Sequence, residues 1–81
     1  MIYNKDSRLH DDTYYYNIIR KNIRKFRKER KLTQRQLADG TYLSEDYICE
    51  IESSTKQKSF SIVTLGRITD FLEKDIRDFF N

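Results

Sequence analysis

Apolar residues recur every three or four positions along most of this chain, the spacing that places side chains on one face of an α-helix. The first such segment predicts a long helix that ends near Lys31, and Asp12 or Thr13 can cap its start through a short side-chain oxygen. Lys and Arg residues surround the other side of this helix. Its predicted inner stripe consists of Tyr15, Ile19, Ile23 and Phe26.

Short polar residues mark the start of two further helices. Thr33 and Gln36 have the spacing of a capping box, in which each side chain satisfies the backbone amide of the other, and they predict a second helix over about residues 34–39. A break at residues 39–42 follows, and Ser44 then caps a third helix. Ile48 and Ile51 mark the inner face of that third helix.

Residues 53–59 are polar and predict a loop, after which the chain becomes helical again. Ser59 or Ser61 can cap this fourth helix, and Asp75 can cap a final short turn. The inner positions of these two elements are Ile62, Leu65, Ile68, Phe71 and Leu72 in the helix and Ile76, Phe79 and Phe80 in the turn. The pattern therefore predicts an all-α domain of four to five helices over residues 13–81, preceded by a flexible N-terminal arm at residues 1–12.

Composition supports helices and narrows the function. The 81 residues include no Pro and two Gly, far less turn punctuation than an all-β domain requires. One cysteine, Cys49, excludes an internal disulfide, and no apolar run resembles a membrane span or a signal peptide, so we expect a cytoplasmic protein. The single histidine, His10, lies in the arm, and no catalytic or metal-binding spacing is present. We therefore expect no enzyme activity, no metal and no cofactor.

Charge is distributed unevenly along the chain. Residues 20–35 hold nine Lys or Arg and one acid, whereas residues 39–52 hold five acids and no base. A basic block of this density indicates a polyanionic partner, with nucleic acid as the leading candidate. A solvated helix face is the alternative interpretation of the same block.

Three ordered segments resemble the Cro/repressor helix-turn-helix family, which has the lambda-repressor-like fold and includes XRE-like regulators. The segments are Ile23-Arg24-x-Phe26-Arg27 with Leu32-Thr33-Gln34-x-x-Leu37-Ala38, then Leu43-Ser44-x-x-Tyr47-Ile48-x-x-Ile51-Glu52, then Ser61-Ile62-x-x-Leu65-x-x-Ile68-x-x-Phe71-Leu72 with Ile76-x-x-Phe79. The resemblance covers roughly residues 17–80. It implies a sequence-specific transcriptional regulator, a repressor, whose third helix (about residues 44–53) enters the major groove of double-stranded DNA.

The resemblance also assigns roles to individual residues. Its base-contacting positions fall on Glu45, Asp46, Cys49 and Glu50. Its phosphate-contacting positions fall on Thr33, Gln34, Arg35, Tyr47, Ser53, Lys56 and Lys58. Arg27 and Glu52 match a pair that forms a semi-buried salt bridge between the first helix and the end of the third.

Two features depart from the family pattern. Tyr42 stands where the turn usually has glycine, which predicts a reshaped turn or a shortened second helix. The base-contacting positions are acidic and repel phosphates, although a carboxylate can accept a hydrogen bond from cytosine N4. An alternative function therefore stays open: a protein-interaction module on the same fold, antitoxin-like or polymerase-contacting, with the acidic third helix as its docking surface.

The apolar C-terminal residues bear on oligomeric state. Ile76, Phe79 and Phe80 are too apolar for a free end, so they either close the core or supply part of a two-fold interface. Members of this family commonly pair so that two third helices meet successive turns of the groove, about 34 Å apart. We therefore expect a homodimer on a palindromic site.

Overall fold

The structure is a computed structural model that describes residues 9–81. Within that range the chain forms four α-helices and a 3-10 helix, with no β-strand, and the predicted all-α fold is confirmed. The α-helices are α1 (Tyr14–Glu29), α2 (Gln34–Thr41), α3 (Glu45–Glu52) and α4 (Ile62–Leu72), and the 3-10 helix spans Ile76–Phe80. None of these described helices combines the length and the apolar character needed to cross a membrane.

One apolar core joins all five helical elements. Phe79 of the 3-10 helix is fully buried, and its ring meets that of Phe26 in α1 edge to face, with 4.9 Å between centroids. The C-terminal segment therefore closes the core. The other buried apolar residues are Ile19, Ile23, Leu37, Ala38, Ile48, Ile51, Phe60, Leu65, Ile68 and Leu72.

The start of α1 differs from the prediction. Tyr15 is 55% exposed, and Tyr16 takes the inner position instead. The Tyr16 ring lies edge-on to Phe60, with 4.9 Å between centroids, and its hydroxyl donates a hydrogen bond to the Phe60 carbonyl. The two residues are far apart in the chain, so helical spacing alone does not reveal this contact.

The predicted arm lies mostly outside the described residues. Of its last positions, His10 stacks on Tyr14, and the Asp11 carboxylate accepts hydrogen bonds from the backbone amide and the hydroxyl of Thr13. Thr13 precedes α1, but its side chain does not cap the helix as predicted. Thr13 has helical dihedral angles (φ −94°, ψ −6°) in place of the extended conformation that a capping side chain requires.

Polar side chains cap the other α-helices. Thr33 and Gln36 form the predicted capping box at 3.0 and 2.9 Å, and Ser44 accepts a hydrogen bond from the Tyr47 amide. Ser61, rather than Ser59, caps α4. Ile62 follows that cap on the outer side of the first turn and is 65% exposed, so its predicted inner position is wrong.

The turn between α2 and α3 keeps a left-handed residue at Tyr42. α2 continues to Thr41, beyond the predicted end, and Tyr42 then adopts φ 60° and ψ 36°. A shortened second helix is therefore wrong. The left-handed conformation favours glycine and costs other residues about 1–2 kcal/mol. Tyr42 therefore adopts the conformation typical of glycine at this position, at the expense of local strain.

Gly40 lies inside α2 because α4 packs directly against its Cα. A Cβ at this position would overlap the Phe71 ring. Gly40→Ala is therefore expected to lower the free energy of unfolding by about 1–3 kcal/mol, because the clash outweighs the gain of ~1 kcal/mol in helix propensity. Urea denaturation followed by circular dichroism measures the change.

Gly66 of α4 supplies the matched control. A Cβ there meets no atom within 4 Å, so Gly66→Ala is expected to raise the free energy of unfolding by about 0.5–1 kcal/mol. An increase in the free energy of unfolding for both variants would contradict the close contact of α2 with α4 at Gly40.

Candidate nucleic-acid interface

The outer face of α3 is acidic. Ile48 and Ile51 of this eight-residue helix are fully buried, and Tyr47 and Glu52 are at least half-buried, so the outer face consists of the other side chains. Three of the four base-contacting candidates, Glu45, Asp46 and Cys49, are exposed. Glu45 and Asp46 also lie in the first turn, where the helix dipole stabilises negative charge, so they have a structural role as well.

Glu50, the fourth candidate, is half-buried and has a cationic partner. The Lys58 Nζ lies 3.7 Å from the Glu50 Oε1 and 5.9 Å from the centroid of the Tyr47 ring. The structure thus brings together one base-contacting candidate and two phosphate-contacting candidates. Since an exposed ion pair contributes at most about 1 kcal/mol, a phosphate could compete with Glu50 for Lys58.

A buried ion pair joins α1 to the end of α3. The Arg27 Nε and Nη2 donate to the two Glu52 carboxylate oxygens at 2.7 and 2.9 Å, and Nη1 donates to the Leu32 carbonyl. Gln34 adds a third element, because its Nε2 donates to the Glu52 Oε1 at 3.1 Å. Gln34, predicted to bind a phosphate, therefore helps to hold α2 against α3.

Arg20 holds the loop that follows α3, a role the sequence did not reveal. Arg20 is 2% exposed, and its guanidinium donates to the backbone carbonyls of Ile51, Ser53 and Lys58 at 2.7, 3.3 and 3.2 Å. Burial lowers the pKa of this group, but an arginine stays charged at neutral pH. The spacing offers one signal, because Arg20 lies two helical turns before Arg27 on the same edge of the apolar stripe.

The remaining phosphate candidates lie around the C-terminal end of α3. Thr33 and Arg35 are exposed at the start of α2, which the Gln34–Glu52 hydrogen bond places beside that end. Lys56 is exposed in the following loop, and its backbone amide donates to the hydroxyl of the half-buried Ser53. These hydroxyl, amide and cationic groups suit a negatively charged ligand.

Of the three C-terminal residues predicted to form a dimer interface, two pack in or against the core and one is exposed. Phe79 is part of the core, so its predicted alternative role in a dimer interface is wrong, and Ile76 is half-buried against the same core. Asn22 of α1 donates to the Phe79 carbonyl at 2.9 Å, which fixes the end of the chain. Phe80 remains 44% exposed.

An apolar groove of about 200 Å³ lies beside Phe80. Its lining includes Tyr15 and Tyr16 of α1, Phe60, and Ile62 of α4. Tyr15 and Ile62 are more than half exposed, as is the neighbouring Val63. The groove and its rim form a continuous exposed apolar surface, the kind that marks an interaction site.

The chain is similar to known helix-turn-helix proteins in sequence and in structure. The family model described as helix-turn-helix matches residues 23–79. A search of curated proteins finds no match. The chain is similar in structure to the restriction-modification controller protein C.AhdI from Aeromonas hydrophila, with 24% identity, a TM-score of 0.78, and coverage of 88% of this chain and 100% of that chain.

Two further solved structures are similar. A helix-turn-helix (HTH_3) family transcriptional regulator from Vibrio cholerae has 28% identity and a TM-score of 0.77 over 86% of this chain, although the match spans only 38% of that chain. The clp gene regulator ClgR from C. glutamicum has 25% identity and a TM-score of 0.72, with coverage of 80% of this chain and 82% of that chain.

Proposed function

The chain belongs to the helix-turn-helix family, and from that membership we propose that it is a non-enzymatic transcriptional regulator that binds double-stranded DNA. The observation that carries the proposal is the outer face of α3, which projects from a rigidly held α2–α3 unit. Side-chain caps fix the start of both helices, and Arg27 and Gln34 hold the end of α3 through Glu52. In this role α3, about residues 44–53, lies in the major groove, and occupancy of the site represses transcription.

The acidic face of α3 is compatible with this role if it accepts hydrogen bonds from bases. Glu45, Asp46 or Glu50 can accept from cytosine N4, a contact worth about 1–3 kcal/mol of discrimination, and Cys49 lies on the same face. Lys58 partly neutralises Glu50, while the exposed Arg35 and Lys56 supply positive charge around the helix. Together these groups lower the repulsion between α3 and the DNA backbone.

A protein-docking role is the second candidate. The exposed carboxylates of Glu45 and Asp46 favour it, because an acidic helix face can dock on a basic protein surface. We prefer DNA because basic and hydrogen-bonding groups from α2 and from the loop after α3 surround the end of the same helix.

We also propose that the protein acts as a homodimer. Its interface would be the apolar groove with Phe80, Ile62 and Val63 at its rim, in place of the buried Phe79. A two-fold interface uses the same surface on both subunits, so it needs both a concave region and projecting apolar groups, and this surface has both.

Selection from a randomised duplex library, followed by a salt titration of the enriched site, tests the proposal. We expect an inverted repeat whose affinity falls steeply with salt, and Glu50→Ala is expected to relax the preference at one base pair by about 1–3 kcal/mol. Removal of Glu50 also releases Lys58, so affinity for unrelated duplexes should rise while discrimination falls.

Asp70→Ala is the matched control, because it removes one exposed acid from α4 and should leave the base preference unchanged. Enrichment of a single half-site would contradict the dimer. If the folded protein enriches no sequence and binds no duplex in a salt-dependent way, the acidic helix is a protein-docking surface instead.

A further inference from the structure

A polar cleft of about 490 Å³ lies between the outer side of α1 and the end of α3. Lys21 and Arg24 line it from α1, and Ser53 and Ser54 line it from the loop after α3. Arg20 and Glu52 also border the cleft, but Arg20 donates to backbone carbonyls and Glu52 is paired with Arg27. Asn17 lines the cleft as well, and its Oδ1 accepts a hydrogen bond from Arg20. The charged and hydroxyl groups left to receive a ligand are therefore two cations and two hydroxyls, of which Ser53 already accepts from the Lys56 amide.

The two cations share one face of α1. Residues three apart are neighbours on a helix surface, so Lys21 and Arg24 extend side by side along the cleft. Within residues 9–81, no carboxylate lies within salt-bridge distance of either side chain. Like charges placed together destabilise a helix slightly, and an anion between them removes that repulsion.

The cleft is located where DNA bound to α3 would present its backbone. A helix of eight residues is about 12 Å long, which is about the width of the major groove. If the start of α3 contacts base edges, its end reaches the phosphates at the groove wall. Ser53 both follows that end and lines the cleft, so the two surfaces are continuous.

The end of α3 needs added positive charge to approach a phosphate. The helix dipole is negative there, and Glu50 and Glu52 lie in the last turn. Lys58 already interacts with Glu50, and Arg27 with Glu52. Lys21 and Arg24 are the remaining cations that the structure places at this end through the cleft.

We propose that this cleft binds a backbone phosphate of the DNA duplex, with Lys21 and Arg24 as its cations and the Ser53 and Ser54 hydroxyls as hydrogen-bond donors. The proposal rests on the DNA-binding function above and extends the DNA contact beyond the α2–α3 unit to the first helix. Such a contact adds affinity for any sequence and leaves base preference to α3.

The test is a salt titration of affinity for the selected duplex with the variant Lys21→Ala/Arg24→Ala. Loss of one phosphate contact is expected to reduce the slope of log K against log salt concentration by about 0.9, and so to weaken binding about tenfold near 0.1 M salt. Loss of two contacts would double the change in slope. The selected and an unrelated duplex should weaken by the same factor, and Lys21→Arg/Arg24→Lys should bind like the parent protein.

Lys25→Ala is the matched control. Lys25 is an exposed cation of the same helix, but its Nζ lies over the Phe26 ring, which packs against the 3-10 helix rather than the cleft. Its removal should leave the salt slope unchanged. Thermal denaturation checks that every variant is folded.

The outcomes separate this inference from the proposed function. If the parent protein binds no duplex, both fail. If the parent protein binds with a steep salt dependence, but the Lys21→Ala/Arg24→Ala variant keeps the same slope as Lys25→Ala, the cleft does not bind phosphate and only the further inference is overturned.

Discussion

Arg20→Met is expected to lower the free energy of unfolding by about 3 kcal/mol. The methionine side chain can fill the buried path of the arginine stem, but it cannot donate to the carbonyls of Ile51, Ser53 and Lys58. Each hydrogen bond from a charged donor contributes about 1.5–3 kcal/mol, and entry of water at the loop recovers part of that loss. Chemical denaturation followed by circular dichroism measures the change.

Lys21→Met on the same helix is the control for Arg20. Lys21 is exposed, so this variant should stay within about 0.5 kcal/mol of the parent protein. Arg20→Lys should be intermediate, because one ammonium cannot reach three acceptors in the way a planar guanidinium does. A stable Arg20→Met variant would mean that water satisfies the loop carbonyls and that Arg20 does not hold the loop.

Helical spacing and capping residues predicted most of the fold because both are local properties of the sequence. Thr33 with Gln36, Ser44 and Asp75 cap the elements that they were expected to cap. The errors fall where a distant segment decides which side chain is covered. Phe60 packs against Tyr16 instead of Tyr15. The Phe71 ring packs against Gly40, which the sequence placed in a turn and which lies in α2.

The candidate site was less predictable because net charge along the chain does not distinguish structural from exposed cations. Arg20 and Arg27 belong to the basic block at residues 20–35, yet both are buried. Arg27 holds the C-terminal end of α3 through Glu52, and Arg20 holds the loop that follows it. Lys58 forms an ion pair with an acid that was expected to contact bases. The cleft beside Lys21 and Arg24 depends on how α1 packs against the end of α3, which no local pattern encodes.

Breaking the Arg27–Glu52 ion pair is expected to lower the free energy of unfolding more than any other substitution proposed for this protein. The Arg27 side chain is 9% exposed, and Glu52→Ala leaves its guanidinium with the Leu32 carbonyl as the remaining partner. The substitution also removes the acceptor of Gln34. Removal of one partner of a buried pair costs about 3–5 kcal/mol. A domain of this size has a total stability of about 4–12 kcal/mol, so the variant should be partly unfolded at 37 °C, as measured by thermal denaturation.

A double-mutant cycle with Arg27→Met separates the pair from the burial of each residue. Arg27→Met/Glu52→Leu replaces both charges with apolar side chains, so it should lose much less than the two single variants combined and can approach the stability of the parent protein. It should still bind DNA more weakly, because the bidentate contact that fixes the end of α3 is gone. Additive losses in stability would show that the two side chains act independently, whereas recovered stability with unchanged DNA affinity would show that the ion pair does not orient α3.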